Sequence, residues 1–310
     1  MGKNNNHNIK ALQTALLEKL PSTRVREEEY LRHHTTFKIG GPADLFIEPI
    51  TMAELSFALR TIHEFDLPVT IIGCGSNILV KDGGIRGAVV SVRHMTQIMD
   101  CNDNTLCIGS GYMLKDASEF AWKNGLTGLE FAIGIPGTLG GAVFMNAGAY
   151  DGEMSHVVTA VRAVDLQGHI KEYDASHLDF GYRHSVFHDN HEVIGEVIMT
   201  LKPGDKNAIK ARMDELTEKR ESKQPLEFAS AGSTFKRPPG YFAGTLIEQT
   251  GLKGLSVGDA QVSHKHAGFV INTGSASAKD VLDLITEVQR RVYDQHGVHL
   301  EPEVRMIGED

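Results

Sequence analysis

Cysteine and net positive charge are both scarce in this chain, and each scarcity removes a class of protein. Three cysteines (Cys74, Cys101 and Cys107) occur among 310 residues, an odd number without ligand-pair spacing. That pattern speaks against a disulfide framework and against a cysteine zinc site, and it fits a reducing compartment. Lysine and arginine number 31 against 40 aspartates and glutamates, for a formal charge of -9. Proteins that grip a nucleic-acid backbone concentrate the opposite charge, so any phosphate site here must be local. No run approaches ~18 consecutive apolar residues, the length of a membrane-spanning helix. The segment Met1–Lys10 is asparagine-rich and lacks the apolar core of a signal peptide. The expectation is a cytoplasmic protein without membrane insertion. No fixed-period repeat and no long low-complexity linker interrupt the chain.

What remains is ordinary globular material, 41% hydrophobic and 23% charged, long enough for two or three lobes with a cleft between them. Ile9, Leu12, Leu16 and Leu20 recur at helical spacing and stop at Pro21. Thr51 and Glu54 form a capping-box pattern ahead of the stripe Leu55, Ala58, Leu59 and Ile62. Short β-branched runs follow at 69–72, 78–80 and 88–92, separated by glycine turns. Residues 114–124 read as a helix with Trp122 in the core, and 157–164 and 193–201 read as strands. Beyond a boundary at Lys202-Pro203-Gly204 come a basic helix over 206–220, a strand at 269–272 and a helix over 277–296. Its stripe is Val281, Leu284, Ile285, Val288 and Val292, and an alternating segment at 298–307 reads as a final strand. The class expected is α+β.

Two glycine-dense loops carry the first chemical signal. Gly73-Cys74-Gly75-Ser76-Asn77 follows a strand, and closely spaced glycines there let successive N–H groups turn toward an anion such as a pyrophosphate. A tight strand-to-strand turn explains the same five residues equally well. The second loop, Gly134 to Ala142 followed by Asn146 to Tyr150, tips the balance, because so many small residues permit close backbone approach to a flat ligand. Neither loop fits the usual nucleotide signatures. The first has Ile78 where the third Rossmann glycine belongs, and no Gly-Lys-Ser/Thr of a P-loop occurs.

These loops together with Thr36 to Asp44 resemble the FAD-binding half of the UDP-N-acetylenolpyruvoylglucosamine reductase (MurB) family. The resemblance continues in order through Tyr182-Arg183, Ala231 to Pro238, His264 to Phe269 and Leu300 to Arg305, over about 270 residues. The shorter, type II branch fits the length. The resemblance implies the FAD-binding fold of the vanillyl-alcohol-oxidase (PCMH) type in two lobes, 1–87 and 88–204, a C-terminal α+β substrate-binding domain at 205–298, and a strand at 299–310 returning to the cleft. It implies noncovalent FAD on Gly40, Gly73, Gly75, Ser76, Asn77, Gly134, Gly137, Thr138, Gly140, Gly141, Asn146 and Gly148. NADPH would be the co-substrate, UDP-N-acetylglucosamine enolpyruvate the substrate, and the protein a monomer.

That reaction needs cations and a proton donor where charge develops beside the enolpyruvyl carboxylate. Arg183 matches the family's substrate-activating arginine, and a guanidinium suits a carboxylate because its donors fork at the right angle. Ser233 matches the proton donor, an unusual role for a hydroxyl that requires a strongly basic carbon as acceptor. Taken alone, Ala231-Gly232-Ser233 reads as a turn. Glu303 matches the late catalytic glutamate; Glu301, two residues away on an extended strand, would share its face, and only motif position separates them. Tyr182, Lys223, Lys236 and Arg237 are the substrate-binding candidates, with the cations for the diphosphate. Some relatives carry Asn at the position of Arg237, and Gly or Asn at that of Cys74. His264 and His266 lack a third metal ligand, so no metal is expected. His33-His34 could mark a covalent flavin link, which the family does not use. An oxidase on the same fold and a nucleotide-sugar-binding module without redox activity are the alternatives.

Overall fold

The computed structural model describes residues 3–100 and 104–310, so Cys101 and the first two residues of the polar N-terminus lie outside the description. The chain divides into two units, each assembled from separated stretches. The first holds Met1–Glu27, Asp44–Cys74 and Gly87–Lys219, and the second holds Glu28–Ala43, Gly75–Arg86 and Arg220–Asp310.

In the first unit the amphipathic helix Lys3–Leu16 buries Ile9, Leu12 and Leu16 in one core with Leu55, Leu59 and Ile62 of the helix Met52–Glu64. Strands Val25–Tyr30, Pro42–Ile47, Ile85–Ser91 and Val69–Ile72 line up in that order, the last two parallel. The expected capping box at Thr51 is half formed. Thr51 Oγ1 accepts the Glu54 N–H at 3.1 Å, but the Glu54 carboxylate turns to the Ile50 N–H at 2.8 Å and to the Arg24 guanidinium at 2.5 and 2.9 Å. The Arg24 pair draws the carboxylate off the Thr51 N–H while leaving it the Ile50 N–H, because a charge-assisted pair is roughly twice as strong as a neutral hydrogen bond.

A second core of the same unit lies under an antiparallel sheet ordered Ile170–Asp174, Val158–Val164, Val193–Thr200, Thr105–Gly109, Ile98–Asp100. Helices Leu114–Lys123 and Leu139–Phe144 supply its apolar partners, with Leu114, Ala117, Ala121, Leu139 and Val143 buried. Trp122, expected in the core, is only half-buried. Its indole N–H donates to the Lys206 carbonyl at 3.0 Å, while its ring packs on the small cluster of Ile133, Ile209, Met213 and Leu216. The basic helix spans Lys206–Lys223.

The second unit has its own core, in which Val281, Leu284, Ile285, Val288 and Val292 of the helix Ala278–His296 pack against a sheet ordered Ala229–Ser230, Val270–Asn272, Ala260–Val262, Ser256–Val257. The helix start is saturated. Ser277 and Asp280 form a capping box, and the Asp82 carboxylate accepts the Ala278 and Lys279 N–H groups at 2.9 and 3.1 Å. The strand expected over 298–307 is confined to Arg305–Ile307, paired in parallel with Ile78–Val80. Its partner is only three residues long, and the Pro302 nitrogen cannot donate to a ladder.

Candidate active site

In the first unit the two glycine loops press on each other. A Cβ on Gly73 would sit 2.5 Å from Thr138 Oγ1, and one on Gly140 would sit 2.7 Å from Ser110 Cβ. Thr138 is buried and caps the short helix Leu139–Phe144 by accepting the Gly141 N–H. The Gly140 N–H donates to the Ser110 carbonyl at 2.8 Å and the Leu114 N–H to the Gly137 carbonyl at 2.9 Å, so backbone hydrogen bonds tie the segment to the residue after the strand Thr105–Gly109 and to the start of the helix Leu114–Lys123. Gly137 is fixed at φ +154°, Gly134 is half-buried, and Gly141 is exposed. Gly148 pairs with Glu153, whose Cβ lies 2.8 Å from where a Gly148 Cβ would fall. The helix in this loop was not legible as such, because six residues are too few to show a period.

A flat cofactor needs small residues and open polar atoms to lie against, and the residues present fit FAD: Gly141 is exposed on the second loop, and Ser110 Oγ is buried without a hydrogen-bond partner among the described residues. Close packing alone would also demand glycine at positions 73, 140 and 148, so the fit rests on the loops together.

Tyr182 and Arg183 form the tip of a two-residue turn in which Gly181 and His184 exchange both backbone hydrogen bonds, at 3.1 and 3.3 Å. Arg183 adopts φ +56° with its guanidinium 5.0 Å from the centroid of the exposed Tyr182 ring. His184 lies 3.5 Å from each of the exposed carboxylates Asp179 and Asp189, and stacks on His188. Asn146, one of the cofactor candidates, is buried, and its amide is spent on the protein. It donates to Glu153 Oε1 at 3.2 Å and to the Gly181 carbonyl at 3.1 Å, and accepts the Ser155 N–H at 3.0 Å. Glu153 and Ser155 were not singled out from sequence; a carboxylate in a polar loop carries no signal of which distant turn it will meet.

In the second unit three separated segments meet around Ser233 and Glu303. The Glu303 N–H donates to the Thr234 carbonyl at 2.8 Å, the Lys236 N–H donates to the Glu301 carbonyl at 2.8 Å, and Phe235 bridges Pro302. The Asn77 amide donates to the Glu303 carbonyl at 3.3 Å, and the Arg305 N–H donates to the Asn77 carbonyl at 3.0 Å. Ser233 is exposed next to Gly232, which sits at φ +76°; Glu303 and Ser76 are half-buried. Gly75, at φ +64°, has the His34 carbonyl 2.4 Å from where a Cβ would be, and its own carbonyl accepts the Thr36 N–H at 3.2 Å. Gly40, at φ +145°, has Val80 Cβ 2.9 Å from its Cβ position.

The cationic candidates of this unit differ in their commitments. Lys236 pairs with Glu301 at 2.5 Å. The Arg237 guanidinium lies over the exposed Phe242 ring, 4.0 Å from its centroid. Lys223 is exposed on the last turn of its helix. His266 is pushed below the usual imidazole range, mainly by burial, and its Nδ1 accepts the Gly268 N–H at 3.1 Å. His34 Nε2 lies 2.7 Å from Glu29 Oε1.

Residues 43–174 match the FAD binding domain family, and p-cresol methylhydroxylase shares the fold over 64% of this chain and 44% of its own, with a TM-score of 0.50 at 12% identity. The chain is thus an FAD-dependent oxidoreductase with the PCMH-type α+β fold. Residues 224–307 match the C-terminal domain of UDP-N-acetylenolpyruvoylglucosamine reductase. The reductase of that name from Pediococcus pentosaceus is 50% identical over 96% of this chain and 99% of its own. The crystal structure of the Thermus caldophilus enzyme (MurB) aligns with a TM-score of 0.79 at 37% identity, covering 92% of this chain and all of that one. The chain belongs to the UDP-N-acetylenolpyruvoylglucosamine reductase family. Among the described residues, no helix is long and apolar enough to cross a membrane.

Proposed function

We propose that this protein reduces the enolpyruvyl group of UDP-N-acetylglucosamine enolpyruvate to UDP-N-acetylmuramate, a peptidoglycan precursor, using NADPH and noncovalently held FAD. Bound FAD supplies the hydride relay from NADPH to the terminal enolpyruvyl carbon. Negative charge then develops on the adjacent carbon and its carboxylate. Arg183 takes that carboxylate through its forked donors, a charge-assisted contact that strengthens as the charge grows. Glu303 orients the same group through a shared proton, and the Ser233 hydroxyl gives its proton to the carbanion-like carbon, recovering one from water. The observation that carries the reading is the backbone ladder tying Thr234 to Glu303, which sets the serine and glutamate segments side by side in a chain of this family.

In the same reading the diphosphate falls to Lys223 and Arg237 with Lys236, Tyr182 contacts the sugar, and residues 205–298 serve as the substrate-binding domain. Lys236 must then exchange Glu301 for the substrate, at little cost because exposed ion pairs are worth ~0–1 kcal/mol. The protein acts as a cytoplasmic monomer. Ser233→Ala tests the chemistry by anaerobic rapid mixing. Bleaching of the flavin by NADPH should stay within about twofold of the unmodified protein, whereas reoxidation by the enolpyruvyl sugar should slow by ~10²-fold or more. Unimpaired reoxidation removes Ser233 from the proton-donor role.

A further inference from the structure

The Arg183 turn is held by a side-chain relay that the reaction chemistry does not itself require. Asn146 sits at φ +40° and is 3% exposed, so its amide is fixed by the fold. One Nδ2 group serves two acceptors, Glu153 Oε1 and the Gly181 carbonyl at the base of the turn. Glu153 Oε1 also accepts the Ser155 hydroxyl, while the Ser155 N–H closes the loop on Asn146 Oδ1. Residues 146, 153, 155 and 181 therefore form one hydrogen-bonded unit, and Arg183 is two residues beyond its last member.

We infer that Glu153 is a positioning residue for Arg183: a fixed anion, locked through Asn146 to the base of the Arg183 turn, that restricts the guanidinium to one orientation. The inference rests on the reading that Arg183 engages the substrate carboxylate. Glu153 is suited to the task because it is held ionised. The Ser155 hydroxyl is the main cause of its lowered pKa, and Asn146, His156 and Arg183 lower it further against the effect of burial. The other acids near the turn, Asp179 and Asp189, are exposed and lie beside His184. An arginine has several rotatable bonds and reaction rates fall steeply with misorientation, so a fixed anion within electrostatic reach of the half-buried Arg183 narrows the directions its guanidinium takes. Loss of the anion leaves the cation intact, so the substrate still binds while fewer bound complexes are productive.

The test is Glu153→Gln in the FAD-loaded protein, since the amide oxygen still accepts from Asn146 and Ser155 while the charge is gone. Flavin content and bleaching by NADPH should remain within twofold. Reoxidation by the enolpyruvyl sugar should slow by about tenfold at saturation, without a rise in KM, and calorimetric affinity for UDP-N-acetylmuramate should stay within threefold. Glu153→Asp should recover part of the rate. Should Glu153→Gln not fold, Ser155→Ala perturbs the same carboxylate and should slow reoxidation by about threefold. Arg183→Lys separates the two levels of the argument. Normal reoxidation in that variant overturns the carboxylate role of Arg183, whereas slowed reoxidation there with a normal Glu153→Gln overturns the positioning role alone. The double variant should be no slower than Arg183→Lys; additive slowing also overturns the inference.

Discussion

Gly73→Ala probes how tightly the two glycine loops are locked, and its cost can be worked from a single atom. The new Cβ would meet Thr138 Oγ1 at 2.5 Å, and its next neighbours, Thr138 Cβ and Cγ2, at an ordinary 3.7 Å. Relief thus requires rotating or displacing the Thr138 hydroxyl, which is buried and caps the helix Leu139–Phe144 through the Gly141 N–H. Losing a cap costs ~1 kcal/mol, and forcing a methyl into a packed site costs ~1–3 kcal/mol. The sum is about 2–4 kcal/mol, read by urea unfolding of the apoprotein. Because the same displacement moves the segment proposed to lie against FAD, the cofactor Kd should rise by about tenfold or more in fluorescence titrations. A double-mutant cycle isolates the cause. In a Thr138→Ala background the clash partner is gone, so Gly73→Ala should cost under ~0.5 kcal/mol, a coupling of at least ~1.5 kcal/mol. Additivity within ~0.5 kcal/mol, or a neutral single variant, would refute the claim that Oγ1 is what excludes a side chain at position 73.

Two further outcomes follow from the helix starts. Ser277→Ala removes the side-chain half of the capping box on Ala278–His296 and should destabilise the protein by ~1 kcal/mol in urea unfolding. Glu54 is held below the usual carboxylate range, chiefly by its bond to Arg24. A depressed folded-state pKa stabilises above the unfolded value and loses that contribution as pH falls through the folded one, so stability should decline below about pH 4.5. Glu54→Gln should cost about 1–3 kcal/mol at pH 7 and flatten that decline, measured by thermal unfolding between pH 7 and pH 3.

Local signals in this chain were legible and distant polar ones were not. The stripe from Val281 to Val292 and the cap at Ser277 specify a helix without outside help, because both act within a turn or two of the backbone. The glycine loops were legible for a related reason. Small residues are needed wherever two chain segments pack closely, whatever the partner atom is, so Gly73 and Gly140 could be picked out without knowing Thr138 or Ser110. The Asn146, Glu153 and Gly181 relay spans 35 residues, and nothing in an asparagine or a glutamate says which turn it will fasten. Glu54 shows the same limit at short range: its pattern named the cap, but Arg24, thirty residues earlier, took the carboxylate.

The two late glutamates stand in different surroundings, which alternation alone does not distinguish. An unbroken strand through 298–307 would put Glu301 and Glu303 on one face with equal claims. The ladder instead runs through Phe235 and Pro302, with Lys236 hydrogen-bonded to the Glu301 carbonyl on one side and Glu303 to the Thr234 carbonyl on the other. Glu301 also receives the Lys236 ammonium, so its charge is already answered on an exposed edge. Glu303 is instead half-buried, one hydrogen bond from the residue that follows Ser233, and its carbonyl is held by Asn77 of the first glycine loop. The proposed assignment of the substrate carboxylate to Glu303 is supported by that fixed backbone, and the proposed contact of Lys236 with the diphosphate requires it to leave Glu301.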